Sequence, residues 1–397
     1  MLARRAFARQ GRGGHIRRMR MGPLLAAALL AAIAPAGAVR AQSGGIPVPP
    51  KLDRGADPND WESYYDLGVD IIKRNTSKAD AAFYWANRLN PTRAEPLYAR
   101  WVAYWMLDIS EWVDYLENDP RVLQEPGTIA SDSLRLRAWE RNPLVNQALI
   151  LYLFDGLPGG WHDDPVTNGW LAYANGFYPK ALDYFGAAVR GNPDRWWLRY
   201  DVALVYTQVG RYDSAAMQVE AMLEQLRSVD RAKLVHVYES KEMFEYALGL
   251  LYAARGKYRD AREAQERALE ENLAFAPAHV AMGQLAAARG DTGAAATEFG
   301  LAVELSPADG AMRYWYGVAL VKAQRGADAV AQLAEAVRLE PYFADGYLAL
   351  GDARALAGDG AKAAAAYAEF LKRAPRSESA NIDRAKRRLA ELGAPSP

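Results

Sequence analysis

Histidine is the scarcest residue present that can do chemistry on its own: four occur in 397 residues, three of them beyond residue 41. His162 is the one set beside carboxylates, in the run Gly159-Gly160-Trp161-His162-Asp163-Asp164. An imidazole next to two carboxylates is a donor set that holds a metal ion or passes a proton. Neighbouring residues on a turn rarely converge on one ion, however, and no second cluster at ligand spacing supports it. The chain has no cysteine, which excludes disulfides, thiolate metal sites, a cysteine nucleophile and a lipidated N-terminal cysteine. No phosphate loop, dinucleotide fingerprint, HExxH or GxSxG element occurs, so nothing supplies a nucleophile, a base and an oxyanion site together. The expectation is a chain that is not an enzyme, with no cofactor and no metal, whose acidic residues are solvated helix faces.

Charge narrows the partners. Residues 1–41 hold eight arginines and no acid, so of the 48 basic residues 40 remain against 48 acids, an excess of about eight negative charges. Nucleic acid needs clustered Lys and Arg, and a membrane surface needs a polybasic patch; neither fits.

The N-terminal segment reads as an address. Residues 1–20 are arginine-rich, residues 21–39 form an uncharged Ala/Leu run, and Val39-Arg40-Ala41 offers small residues for cleavage after Ala41, with Ala38 as the neighbouring site. Met19 and Met21 are alternative start positions, and Arg4-Arg5-Ala6-Phe7 resembles a twin-arginine signal only faintly. A retained anchor is the competing reading, but the strongly apolar part spans only Leu24 to Ala34 before Pro35, short of the ~20 residues a bilayer requires. The chain is therefore expected in the periplasm or secreted, with no membrane span after cleavage.

The elements that follow are organised by a period. Pro307, Pro341 and Pro375 recur at one constant interval, and the same interval separates Gly283, Gly317 and Gly351, and Ala261, Ala295, Ala329 and Ala363. Gly176 and Gly210, with Ala181 and Ala215, keep the same step. Each period divides into a first helix ending near Gly176, Gly210, Gly256, Gly290 or Gly358, where a left-handed residue can stop it, and a second helix running to the proline. Gly317 and Ala329 fall where two helices of a hairpin cross, and Phe185, Phe299 and Tyr367 fill the space beside them.

These series resemble the tetratricopeptide repeat family, whose helix-turn-helix unit of about 34 residues has small residues near its eighth and twentieth positions and proline near its thirty-second. The resemblance implies an all-α, right-handed α-solenoid. Units begin near His162, Trp196, Glu242, Ala276 and Gly310, and a sixth near Ala344 carries Phe370 where a small residue is usual. Upstream, Leu67, Gly68, Ala79, Phe83, Ala86 and Pro91 outline a further unit one residue short. The resulting organisation is a leader (1–41), a Pro/Gly-rich linker (42–57), an irregular Trp-rich helical region with an insertion around Asp108 to Gly127 (58–161), the repeat array (162–378) and a C-terminal capping helix (379–393). A smaller insertion falls between Leu223 and Lys241, because the interval from Gly210 to Gly256 exceeds the repeat.

In the family's geometry the second, fifth, ninth and twelfth positions of each first helix line a concave groove. By register these are Trp170 and Tyr173; Trp197, Tyr200 and Leu204; Met243, Tyr246 and Leu250; and Tyr314 and Val318. They are anchor-type residues, suited to a partner's apolar groups; the competing role for each is packing. The Lys, Arg and Asn of a clamp for an acidic peptide C-terminus are absent from these positions. The insertion, with Trp112, Tyr115, Glu117 and Asp119, is either a recognition loop or a surface loop. The reading is a protein-interaction scaffold of the cell envelope or secretion apparatus that takes a peptide or helix. Glycan binding is the alternative, since aromatic faces stack on sugar rings.

Overall fold

The computed structural model describes residues 46–107, 145, 164–232 and 241–394. Each repeat becomes a hairpin through the way its first helix ends. At Gly176, Gly210, Gly256, Gly290 and Gly358 φ lies between +70° and +81°, a left-handed conformation that strains an L side chain but not glycine. The reversal is closed by a recurring bond from the residue after the glycine to the helix's last turn: Arg211 N–H to the Tyr206 carbonyl at 2.8 Å, Phe177 to Ala172 at 2.8 Å, Lys257 to Tyr252 at 2.9 Å. Carbonyls that the helix itself leaves open are thereby satisfied. Helix starts are fixed as locally, by Asp164, Asp291, Asp309 and Asp359, whose carboxylates accept from backbone amides of the first turn.

Sixteen helices and no strand are present among the described residues. Upstream come α1 (Trp61–Ile71), α2 (Thr76–Leu89) and α3 (Glu95–Leu107). The array then runs as six hairpins: α4 (Pro165–Ala174) with α5 (Tyr178–Gly191), α6 (Trp197–Gln208) with α7 (Tyr212–Ala232), α8 (Glu242–Ala254) with α9 (Tyr258–Glu271), α10 (Ala276–Ala288) with α11 (Thr292–Leu305), α12 (Gly310–Lys322) with α13 (Gly326–Leu339), and α14 (Ala344–Leu356) with α15 (Gly360–Arg373). A single helix, α16 (Ser379–Glu391), ends it. Consecutive helices pack along the array, and first helices of neighbouring units also touch, α8 with α10 and α12 with α14. The architecture is an α-solenoid.

Inside each hairpin the two helices approach over a missing side chain. A Cβ placed on Gly169 would stand 2.6 Å from the Phe185 ring, one on Gly283 2.8 Å from Phe299, and one on Gly351 2.5 Å from Tyr367. The upstream hairpin repeats the device with Gly68 and Phe83, so α1 and α2 form a true unit despite its short spacing. In α8 and α9 the ring is replaced by Gln265, which lies over Gly249 and donates to the Tyr246 carbonyl at 3.1 Å. The alanines of the repeating series are 0–1% exposed, as the crossing requires. Phe370, the large residue at a usually small position, is fully buried in a cluster with Ala385 and Leu389 of α16; a lone capping helix leaves it room that a full unit would not.

The insertion after Leu223 begins as a continuation of helix: α7 has 21 residues where α5, α9, α11, α13 and α15 have 14. It is pinned by Lys241, which meets Asp230 at 2.6 Å, and by Glu245, held between Arg227 and Arg267. Residues 1–41, His162, the insertion with Trp112, Tyr115, Glu117 and Asp119, and residues 233–240 lie outside the described residues.

Residues 46–57, the described part of the segment read as a linker, are tied down at both ends. The indole of Trp85 on α2 donates to the Pro47 carbonyl at 2.7 Å. Asp57 accepts from the Arg376 amide at 2.6 Å, and Asn59 reaches the Ala374 carbonyl at 3.5 Å. On the neighbouring surface Arg88 pairs with Glu340 at 3.0 Å and Trp85 meets the Tyr342 ring edge-on, with centroids 5.1 Å apart. The first described unit thus touches the last two hairpins.

The α12–α13 turn has no glycine. Gln324 adopts φ +59°, the one non-glycine among the described residues in the left-handed region, and Arg325 N–H still bonds the Leu320 carbonyl at 2.9 Å. Gln324→Gly is therefore expected to raise the unfolding free energy by about 0.5 to 1 kcal/mol, and Gly210→Ala to lower it by about 1 kcal/mol, in urea titrations of the purified chain.

Candidate functional site

The first helices of the array carry all ten residues predicted to line a groove, and the structure divides them. Trp170, Tyr173, Tyr200, Leu204, Met243 and Tyr246 are between 1% and 8% exposed. Trp170 stands edge-on to Phe185 and Tyr173, with centroids 5.3 and 5.7 Å apart. Tyr173 donates its hydroxyl to Gln208 at 3.2 Å. Trp197, Leu250, Tyr314 and Val318 are only partly buried. A ligand on this face would meet these four, while the other six are packed in the core.

The reason for the division lies between units. The fifth residue of a first helix meets an aromatic ring at the start of the next unit: Tyr200 with Phe244, Tyr246 with Phe275 and Tyr314 with Phe343, at centroid distances of 5.6, 5.5 and 4.9 Å and steep interplanar angles. Edge-to-face pairs of this kind add to plain burial. Phe275 and Phe343 were not singled out in the sequence, although a signal existed. Twice the repeat interval separates them, and the same doubled interval separates Tyr246 from Tyr314.

At the C-terminal end the same face turns acidic. Asp345 and Asp352 occupy the second and ninth positions of α14, with Glu378 at the start of the capping helix. Arg384 of α16 pairs with Asp352 at 3.1 Å, and the Tyr367 hydroxyl donates to Asp352 at 2.8 Å. Burial pushes Asp345 up to about 7, helped by the charge of Glu378 and a hydrogen bond with it, and opposed by Arg384. The Tyr314 hydroxyl is raised as well, first by burial and then by Asp345 and Glu378. The Asp345 carboxyl is thus held towards its neutral form by burial and by the Glu378 charge beside it.

Among the described residues no three His, Cys, Asp or Glu side chains gather as a metal ion needs, and no helix is long and apolar enough to cross a membrane. The described array instead has hairpins stacked at a fixed period with a partly open first-helix face. Matches to a tetratricopeptide repeat model over residues 166–230, 246–310, 280–342 and 317–378 fall on these hairpins. The chain belongs to the tetratricopeptide repeat family. Among similar solved structures is YrrB, described as a tetratricopeptide repeat (TPR) protein with an unusual peptide-binding site, at 20% identity over 52% of this chain and 100% of that one, with a TM-score of 0.43. The C-terminal part of a TPR protein from Cytophaga hutchinsonii matches at 16% identity over 56% and 83%, with a TM-score of 0.45. A TPR protein from Parabacteroides merdae matches at 16% over 83% and 98%, with a TM-score of 0.36. No curated protein matches the sequence. No catalytic family is indicated.

The acidic corner makes TPR stability depend on pH. Below the ordinary value of 3.8 Asp345 is protonated in folded and unfolded chains alike. Between 3.8 and about 7 only the folded chain keeps the proton, so stability falls as pH rises through that window. Asp345→Asn is expected to flatten the dependence of melting temperature on pH between those limits and to raise it at pH values above them, as scanning calorimetry across a pH series would show.

Proposed function

We propose that this TPR chain is an exported interaction scaffold of the bacterial cell envelope, holding an extended peptide or a helix of a partner protein along its first-helix face. TPR proteins bind other proteins and peptides and are in general not catalysts, which supports the scaffold reading. The observation that carries the site is the partly open apolar run formed by Leu250, Val280, Tyr314 and Val318 on successive first helices. Such residues can seat a partner's apolar side chains one unit at a time. The arginine-rich and apolar leader supports export. Nothing specific favours a glycan ligand, because Trp170, Tyr200 and Tyr246 are buried and meet other rings edge-on.

The experiment is crosslinking of the tagged chain in its native envelope, followed by mass spectrometry, beside a variant with Leu250→Ser and Val318→Ser. Two lost anchors should weaken capture of a specific protein by roughly ten- to a hundredfold while helicity is retained. Capture that is equal in the variant removes the groove, and a co-purifying saccharide in place of a protein favours the glycan alternative. N-terminal sequencing of the same material is expected to begin at Gln42; a retained leader would contradict export by cleavage.

A further inference from the structure

The contacts that join the ends of the described chain differ in kind from those that join neighbouring units. Unit meets unit through buried apolar clusters and ring pairs such as Tyr246 with Phe275, reinforced between α7 and α8 by Arg227–Glu245 and Lys241–Asp230. Residues 55–59 and 85–88 meet residues 340–342 and 374–376 through two ion pairs, a few hydrogen bonds and one ring contact, Trp85 with Tyr342. Asp57 accepts from the Arg376 amide and guanidinium at 2.6 and 3.2 Å, and the same guanidinium donates to the Gly55 carbonyl at 3.0 Å. The second foothold is Arg88 with Glu340, beside the Trp85 and Tyr342 rings. These partners stand at opposite ends of the array in sequence, so no local propensity explains their meeting.

Two features make this seam the weak one. In the outer pair the Arg376 side chain is 69% exposed, so salt weakens its hold on Asp57, whereas Arg88–Glu340, at 19% and 2%, is screened far less. The inner pair is incompletely satisfied: among the described residues the Nε of Arg88 has no partner. Buried polar groups left this way disfavour the docked state, because water would satisfy them on opening.

We propose that the first hairpin and the residues before it form a reversible polar clasp, which closes the solenoid by gripping its last two hairpins at Arg376 and Glu340. The clasp has two states, docked and released, and salt or a competing charge moves the chain between them. Its consequence for binding rests on the scaffold reading: with the ends held, the curvature of the first-helix face is fixed, and a partner that needs a different curvature must release the clasp. The docked and released states themselves are measurable without any partner.

Because the chain has no cysteine, two dyes can be placed at will. Arg54→Cys and Ser377→Cys lie at exposed positions flanking the grip. In the full chain, energy transfer between them is expected to be high at ~0.1 M salt and to fall roughly twofold by ~1 M, as the screening length drops from about 10 to about 3 Å. Asp57→Asn with Glu340→Gln should lower transfer in the same way at the lower salt, with helical circular dichroism unchanged. Transfer that is low at every salt concentration, or high and indifferent to both salt and the double substitution, overturns the clasp. Neither result bears on the groove, which the Leu250→Ser and Val318→Ser capture experiment tests separately.

Discussion

Everything in this solenoid depends on how near the two helices of a hairpin can come. An aromatic ring from the second helix lies flat against a glycine of the first, at Gly169, Gly283 and Gly351, and at Gly68 upstream. With a side chain there, the ring would have to withdraw, the helices would separate and the buried alanines of the second helix would lose contact on the other side. The same closeness determines where a first helix stands relative to the next, because each unit rests on the pair before it. The ring pairs between units, Tyr246 with Phe275 and Tyr314 with Phe343, are therefore downstream of a contact made within units.

The repeat was legible because the residues that define it answer to backbone geometry. A left-handed turn asks for glycine, a crossing asks for a small residue, and a helix end tolerates proline, each independently of the rest of the molecule. Where the demand is met by another residue the signal vanishes. Gln324 closes its turn as the glycines do, yet nothing in its side chain announces it. The groove residues were readable only in part. Register gives the angle of a side chain around its helix; whether a ring will cover it, as Phe244 covers Tyr200, depends on what stands at the start of the following unit. Least legible of all was the meeting of Asp57 with Arg376, which follows from the accumulated rotation of every unit between them.

The last helix shows charge and packing acting together. Ala385 and Leu389 bury the face that covers Phe370 and Tyr367. Arg384 from the same helix reaches Asp352, and the carboxyls of Asp345 and Glu378 meet where that helix begins. A capping helix held by apolar contact alone could slide along its groove; the Arg384–Asp352 ion pair fixes its register.

A linear stack of repeats melts from its extremities, since a terminal unit has one neighbour where an inner unit has two. While the first hairpin leans on the last two, each extremity has a second neighbour, and unzipping must wait for the clasp to release. Heat or denaturant must then open the ring at some point before either end can fray. While those few polar contacts are docked, both ends are held; once they release, the array is free to come apart by degrees from its ends.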